Sequence, residues 1–221
     1  MSLLIAVTGR NNAKLIDKLT RLLPDEEIVE WYEGMDYSAV TFVLAWNAPQ
    51  KMWQHLSHIK AISSYGAGVD SLLTEQRLPD VPIARIVDPQ LAINMSEYVL
   101  HAIGHFKLRF NQYLFNKTQQ IWKPRRGLNS KKVGILGLGQ LGQQVGGSLQ
   151  RFGYQVSGWS RTHKSIASIE CFSGDDGLAK MLPNIDYLVC LLPLTQATSG
   201  ILNQQLFNQL PHGAVLINVA R

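Results

Sequence analysis

The segment over residues 132–159 constrains the fold of this 221-residue sequence more than any other feature. A short apolar run at 133–136 predicts a buried strand, which ends at the sequence Gly-Leu-Gly-Gln-Leu-Gly over 137–142. A helical pattern over 140–152 and a second strand pattern over 154–159 follow it. Strand, G-x-G-x-x-G turn, helix and strand in this order are typical of a dinucleotide-binding βαβ unit, whereas the glycine pattern alone is weak evidence.

Each glycine has a separate physical task in this interpretation. Gly137 permits the tight turn, Gly139 lets the backbone approach a pyrophosphate, and Gly142 allows the helix to pack close to the strand. The N–H groups at the start of the helix, at Gln140 and Leu141, then face the phosphates together with the positive end of the helix dipole. The alternative is a structural βαβ turn that binds no ligand.

The residues after the second predicted strand bear on the choice of cofactor. NAD enzymes place an acidic residue there to bind the ribose hydroxyls, and this sequence has none between 160 and 169. Ser160, Arg161, Thr162 and Lys164 occupy the position instead. Because a basic turn attracts a 2′-phosphate that an acid would repel, we expect NADP(H) to be preferred over NAD(H). A solvated basic loop is the alternative interpretation.

Composition is typical of a globular protein with a sizeable core, since 46% of the residues are apolar and 17% are charged. No apolar run approaches the roughly 18 residues of a membrane span, and residues 1–5 resemble a strand rather than a signal peptide. Cys171 and Cys190 lack metal-ligand spacing, and His101 and His105 are spaced as a metal pair without a further ligand. We therefore expect no metal, no membrane and a reducing, cytoplasmic setting.

The charge of the chain favours an anionic ligand. The formal net charge is +5, and no acidic residue occurs between Glu97 and Glu170. One interpretation is nucleic-acid binding, and the other is attraction of an anionic cofactor and an anionic substrate. We favour the second, without a nucleic-acid partner, because the basic residues surround the nucleotide pattern and are not interleaved with aromatic residues.

Strand and helix patterns alternate along the chain, which predicts parallel sheets covered on both faces. Strands are predicted at 3–8, 27–31, 40–45, 61–64, 186–192 and 214–219, and helices at 12–23, after Pro49, at 175–182 and at 203–210. A long helical pattern covers 94–116, where Asn94 and Glu97 have the spacing of a capping box. The expected fold is α/β, with one Rossmann-like domain at 1–93 and a second, incomplete one at 94–221.

Four motifs resemble those of the D-isomer-specific 2-hydroxyacid dehydrogenases, and the resemblance extends over essentially the whole sequence. The motifs are Tyr-Gly-Ala-Gly-Val-Asp at 65–70, Met-Ser-Glu-Tyr at 95–98, the glycine pattern at 137–142 and Leu-Ile-Asn-Val-Ala-Arg at 216–221. The segments at 45–49, 159–165 and 192–195 are similar to those of the glyoxylate/hydroxypyruvate reductase A branch. The resemblance implies a flavodoxin-like first domain, an NAD(P)-binding second domain and an active site in the cleft between them.

The resemblance also implies the activity and its residues. The reaction would be reduction of a small 2-keto acid by NADPH, with Arg221 as the catalytic arginine that holds the carboxylate and polarises the carbonyl. Trp46 and the backbone of Ala67, Gly68 and Val69 would bind the substrate. Two further residues of the branch motif at 192–195 would contact the cofactor, namely Leu192 and Pro193.

The resemblance further implies a homodimer formed through residues 94–130. Members of the family continue beyond the arginine motif with a Glu and a His that complete the active site, so we expect this chain to be truncated and inactive by itself. The alternative hypothesis is a non-catalytic dinucleotide-binding module or regulator that retains the fold.

Overall fold

The computed structural model describes residues 2–73 and 78–220. The chain divides into two compact units, Met1–Val87 and Asp88–Arg221, and each contains a five-stranded parallel sheet. The α/β class and the two Rossmann-like sheets are therefore confirmed. Within the described residues, no helix is both long enough and apolar enough to cross a membrane.

The first sheet has a flavodoxin-like strand order. Its strands are β1 (Ser2–Val7), β2 (Glu27–Glu30), β3 (Val40–Trp46), β4 (Ala61–Ser64) and β5 (Ile83–Ala84). They lie in the order β2-β1-β3-β4-β5, so the direction in which strands are added reverses between β1 and β3. In sheets of this kind, ligands bind at the carboxyl ends of the strands beside the reversal. The two-residue β5 was not predicted from the sequence.

The helices of the first unit are α1 (Ala13–Leu22), a 3₁₀ helix (Gln50–His55) and α2 (Asp70–Leu73). Pro49 precedes the 3₁₀ helix, as predicted, and that helix buries Met52 and Trp53. Both side chains join the core that Leu4, Val43 and other strand residues form. The 3₁₀ helix thus packs against the core of the first unit.

The long helix of the second unit differs from its prediction at both ends. It is α3 (Pro89–Lys107), and it begins where the Asp88 side chain accepts a hydrogen bond (2.8 Å) from the Gln90 N–H. An Asp N-cap followed by proline is a stronger helix start than the capping box expected at Asn94. This start also places the division between the units before residue 88.

The predicted helix is interrupted near its middle. Arg109 has a left-handed conformation (φ 61°), and a separate helix, α4 (Phe110–Thr118), follows it. The Leu128 N–H donates to the Lys107 carbonyl at 2.8 Å, and the Arg109 guanidinium donates to the Arg126 carbonyl at 2.9 Å. The segment at 125–128 therefore satisfies the end of α3, and the helix stops there without a glycine or proline.

The second sheet follows the Rossmann order. Its strands are β6 (Lys132–Leu136), β7 (Gln155–Ser160), β8 (Glu170–Ser173), β9 (Tyr187–Cys190) and β10 (Val215–Asn218), in the order β10-β9-β6-β7-β8. The helices between them are α5 (Gln140–Arg151), α6 (Gly174–Met181) with a 3₁₀ turn (Leu182–Asn184), and α7 (Gln204–Phe207). The edge strand β8 was not predicted.

The core of the second unit holds α3 and α5 against the sheet. Val99 and Ile103 of α3, and Val145 and Leu149 of α5, are fully buried with strand residues such as Ile135. A Cβ on Gly142 of α5 would overlap the Gly137 carbonyl just after β6, and a Cβ on Gly146 would lie 2.7 Å from the Ile169 side chain just before β8. The position of the start of α5 relative to β6 is therefore fixed by close packing.

Candidate functional site

The carboxyl edge of the second sheet brings the predicted cofactor residues to one region. In a parallel sheet the ends of β6, β7 and β9 share one edge, and the strand order reverses between the neighbours β6 and β9. Such a reversal opens a crevice in which α/β proteins bind ligands. The segments that follow these strands contain Gly137, Gly139, Gln140, Leu141, Gly142, Ser160, Arg161, Thr162, Lys164, Leu192 and Pro193.

The three glycines of the turn have different surroundings. Gly137 has a φ of +102°, its N–H donates to the Trp159 carbonyl at 2.8 Å, and a Cβ there would lie 3.1 Å from the Leu191 carbonyl group. A Cβ on Gly142 would overlap the Gly137 carbonyl oxygen. By contrast, a Cβ on Gly139 would meet no atom within 4 Å. Two glycines therefore shape the turn, and the third faces open space.

The start of α5 adjoins the open space beside Gly139. Gly139 is the N-cap residue and contributes no side-chain cap, while Gln140 is exposed and Leu141 is half-buried. The first N–H groups of a helix have no intrahelical acceptor, and the helix dipole adds partial positive charge. This geometry suits a phosphate or pyrophosphate group.

The turn after β7 combines a buried hydroxyl with exposed polar residues. Ser160 is 8% exposed, and its Oγ donates to the Thr162 carbonyl at 2.8 Å, which closes the turn. Arg161 and Thr162 are exposed. The Lys164 side chain instead reaches the glycine turn, where its Nζ donates to the Leu138 carbonyl at 2.8 Å. The two basic residues that the sequence grouped together therefore have different surroundings.

The segment after β9 lies against the glycine turn. A Cβ on Gly137 would be 3.3 Å from the Leu192 side chain. Pro193 is exposed, and its carbonyl accepts a 2.5 Å hydrogen bond from Thr198 Oγ1, which in turn accepts one from the Thr195 N–H at 2.9 Å. Thr198 thus fixes the path of the chain beside the turn.

A small cavity of about 190 Å³ lies between this segment and the end of β10. Cys190 lines it, and burial raises the pKa of the Cys190 thiol despite a hydrogen bond from the Leu192 N–H. A neutral, buried thiol is a packing group rather than a nucleophile. Asn218 and Ala220 also line the cavity, whereas Arg221 lies outside the described residues.

The predicted substrate residues lie at the carboxyl edge of the first sheet. Trp46 ends β3, and the loop at 66–69 follows β4, its neighbour in the sheet. A Cβ on Gly66 would overlap the Trp46 ring, so the loop packs directly on the indole. The structure thus brings Trp46 together with the loop that contains Ala67, Gly68 and Val69.

Hydrogen bonds hold the carbonyl groups of this loop in place. The Gly66 carbonyl accepts from the Ile86 N–H (3.3 Å), the Ala67 carbonyl from Arg85 Nη1 (3.2 Å), and the Gly68 carbonyl from Ser64 Oγ (2.7 Å). In a planar trans peptide the N–H points opposite to the carbonyl. The N–H groups of residues 67–69 therefore point away from these partners, an arrangement that can bind a carboxylate.

Several supporting residues were not predicted from the sequence. Ser64 and Arg85 hold the loop at 66–69, and Gln143 and Gly158 contact Leu138 in the glycine turn. Gly158 had a recognisable signal, because a glycine within a strand indicates close approach of another group. The others make contacts that sequence spacing does not reveal.

Comparisons with known proteins agree with this geometry. Residues 99–221 match the family model described as "D-isomer specific 2-hydroxyacid dehydrogenase, NAD binding domain". The chain is 38% identical over 211 residues to glyoxylate/hydroxypyruvate reductase A of Serratia proteamaculans, covering 92% of this chain and 67% of that protein. It is 37% identical over 207 residues to the reductase of the same name from Yersinia enterocolitica, covering 90% of this chain and 66% of the relative. The chain therefore spans about two thirds of the length of these curated relatives.

Solved structures are similar over the whole chain. A D-isomer specific 2-hydroxyacid dehydrogenase from Xanthobacter autotrophicus, in complex with NADPH and MES, superimposes with a TM-score of 0.89 at 30% identity. The NADPH-dependent glyoxylate/hydroxypyruvate reductase from Sinorhizobium meliloti, in complex with NADP and sulfate, gives a TM-score of 0.85 at 30% identity. Each comparison covers 100% of this chain and 72% of the other.

Proposed function

Because the chain belongs to the D-isomer specific 2-hydroxyacid dehydrogenase family, we propose that it serves the reduction of a small 2-keto acid, glyoxylate or hydroxypyruvate, to the 2-hydroxy acid with NADPH. The observation that carries this proposal is the glycine turn and bare helix start at the strand reversal of the second sheet. The names of the relatives support the class of substrate.

The second unit would bind the dinucleotide through backbone groups. The N–H groups at Gly139, Gln140 and Leu141 would hold the pyrophosphate, and Leu192 and Pro193 would line the adjoining surface. NADPH supplies the hydride when it is bound. The task of the protein is to orient the cofactor and to exclude competing reactions.

The first unit would bind the carboxylate of the keto acid. The N–H groups of residues 67–69 are directed away from the partners of the loop carbonyls, and Trp46 packs against the same loop. Arg221, by family resemblance, would pair with the carboxylate and polarise the carbonyl through its planar guanidinium. The same resemblance assigns the proton donor to a His that follows the arginine motif in relatives, outside these 221 residues.

The preference for NADPH over NADH is assigned to the turn after β7. Arg161 is exposed there, Ser160 closes the turn, and no acid occurs at 160–169. A 2′-phosphate carries up to two negative charges, which an arginine binds through charge-assisted hydrogen bonds. Two neighbours bound to NADPH or NADP support this assignment.

The second unit is further proposed to form a homodimer. Apolar side chains are exposed along α3, α4 and the following segment, and we call this region the arm surface; it comprises Tyr98, Phe106, Leu108, Phe110, Leu114, Phe115, Ile121, Trp122 and Leu128. Trp122 is 93% exposed. Clustered exposed apolar residues mark interaction sites, and a second copy of the chain is the proposed partner.

The unpaired Cys171 and Cys190 support a reducing, cytoplasmic setting.

Two titrations test the proposed function on the 221-residue chain. NADPH binding, followed by nicotinamide fluorescence, should be saturable. Glyoxylate binding, followed by NMR, should shift the backbone amide resonances of residues 67–69 more than those of the rest of the first unit. Absence of saturable NADPH binding would contradict the cofactor assignment, and amide shifts confined to other residues would contradict the substrate assignment.

A further inference from the structure

Lys164 lies in the basic turn after β7, but its ammonium group contacts the backbone of the glycine turn. Its Nζ donates a 2.8 Å hydrogen bond to the carbonyl oxygen of Leu138, which is 26 residues earlier in the chain. Leu138 is the residue between the first two glycines of the pattern. The contact therefore connects the turn after β7 to the turn after β6.

Two other contacts fix Leu138. Its side chain is 1% exposed and lies against Gly158 of β7, where a Cβ would overlap it. Its carbonyl also accepts from Gln143 Nε2 at 3.1 Å. With the side chain buried and the carbonyl bound twice, the peptide group between Leu138 and Gly139 has little freedom to rotate.

The orientation of this peptide determines where the next N–H points. In a planar trans peptide, the Gly139 N–H is opposite to the Leu138 carbonyl. Because the carbonyl is directed at Lys164, the N–H is directed away from it. Gly139 is exposed and has open space beside it. We propose that Lys164 is a positioning residue, which holds the Leu138 carbonyl and so aims the Gly139 N–H at the pyrophosphate of the dinucleotide.

This role differs from recognition of the 2′-phosphate. The pyrophosphate is common to NADPH and NADH, whereas the 2′-phosphate belongs to NADPH alone. A residue that aims the Gly139 N–H contributes equally to both cofactors, while Arg161 contributes to NADPH only. The inference rests on the proposed dinucleotide function, and it divides the basic turn into one residue for affinity and one for selectivity.

Lys164→Met tests the division. In the 221-residue chain, the variant should raise the dissociation constants of both NADPH and NADH by about tenfold and leave their ratio unchanged. Arg161→Ala should change that ratio. Lys180→Met is the matched control, because Lys180 is an exposed lysine of α6 in the same unit. A loss confined to NADPH in Lys164→Met, or no loss for either cofactor, would overturn the proposal.

Hydrogen exchange provides a measurement that needs no cofactor. In the ligand-free chain, amide exchange over residues 137–142 should be faster in Lys164→Met than in the unmodified chain, with no change in Lys180→Met or Arg161→Ala. Unchanged exchange in Lys164→Met would overturn the positioning role. If the unmodified chain bound neither dinucleotide, the proposed function would fail, and the exchange rates would still decide whether Lys164 holds the turn.

Discussion

The two units contain the same first βαβ element, but the surroundings of the two helix starts differ. In the first unit, Asn11 Oδ1 accepts from the Ala13 N–H at 2.8 Å, and the buried Asn12 donates to Glu30 at the end of β2. In the second unit, Gly139 is the N-cap without a side-chain cap, and Ser160 ends β7. A helix start at which a side chain already binds one N–H, and which lies close to an acid, is less suited to a phosphate.

The anion site proposed for the first unit lies in a different place. Its loop at 66–69 follows β4 and precedes α2, which begins at Asp70. Because the carbonyls of that loop are bound by Ser64 and Arg85, its N–H groups point away from these partners. This arrangement suits a single small carboxylate. We therefore propose that related parallel sheets bind anions either at a helix start or in a loop, according to the side chains that lie at the helix start.

The largest expected effect comes from a side chain placed between α5 and the Gly137 carbonyl. Gly142→Ala would place a methyl group on the Gly137 carbonyl oxygen, so the start of α5 must move away from β6. We expect NADPH binding to the 221-residue chain to weaken by at least about 100-fold, which corresponds to roughly 2.8 kcal/mol. Nicotinamide fluorescence measures this change.

Gly147→Ala is the matched control for that variant. Gly147 lies in the same helix, and a Cβ there would meet no atom within 4 Å. Alanine should therefore stabilise the helix by roughly 0.5–1 kcal/mol and leave NADPH binding unchanged. Equal binding losses in the two variants would mean that the helix start is not where the second unit binds its ligand.

The positive charge of Arg161, which follows β7, provides the next prediction. Arg161→Ala should raise the dissociation constant for NADPH by roughly 10- to 150-fold, because a hydrogen bond to a charged group contributes about 1.5–3 kcal/mol. Binding of NADH should change little. Parallel titrations of the two cofactors measure the effect, with Arg151→Ala, at the far end of α5, as the control. Equal weakening of both cofactors would place Arg161 at the adenine ring instead.

The elements whose determinants are local could be predicted from the sequence. The glycine turn, α1 and the predicted strands depend on residues that are close together in the chain, and all were found within a few residues of their positions. The family and its reductase branch were also recognised from short motifs, and the comparisons confirm both.

The failures have physical causes. The strand β5 has two residues, and β8 is an edge strand without an alternating apolar pattern, so neither gives a periodic signal. The break at Arg109 depends on contacts with residues 126 and 128, which spacing along a helix cannot reveal. The contact of Lys164 with Leu138 could likewise not be predicted from the sequence, because the partner comes from another loop.

The units also differ in how they expose apolar side chains. The exposed apolar side chains of the second unit concentrate on the arm surface, whereas the first unit exposes residues that are spread along its length, such as Leu22, Tyr32 and Ile83.

Trp122→Ser should raise the dimer dissociation constant by at least about tenfold, because exposed aromatic anchors contribute much of an interface energy. Sedimentation velocity measures the change. Phe152→Ser, 70% exposed outside the arm surface, should leave assembly unchanged, and a monomeric unmodified chain would refute the dimer.

The smallest expected effect concerns the dependence of stability on pH. The pKa values of two side chains, one in each unit, are shifted in opposite directions. In the first unit, hydrogen bonds from Ser38 lower the pKa of the exposed Asp36, whereas in the second unit burial raises the pKa of Cys190. A thiol whose pKa is raised on folding stabilises the native state below the unfolded pKa of about 9.

That stabilisation by Cys190 is lost as pH rises, because the unfolded chain releases its proton first and the native thiol follows at higher pH. Burial also raises the pKa values of Tyr154 and Tyr187, which extends the alkaline loss of stability above pH 10. Thermal melts between pH 7 and pH 10 should show a steeper alkaline decline for the unmodified chain than for Cys190→Ala, by a few degrees at most. Cys171→Ala removes the half-buried thiol of β8 and should keep the original slope. If both variants flatten the decline equally, burial at the end of β9 is not its cause.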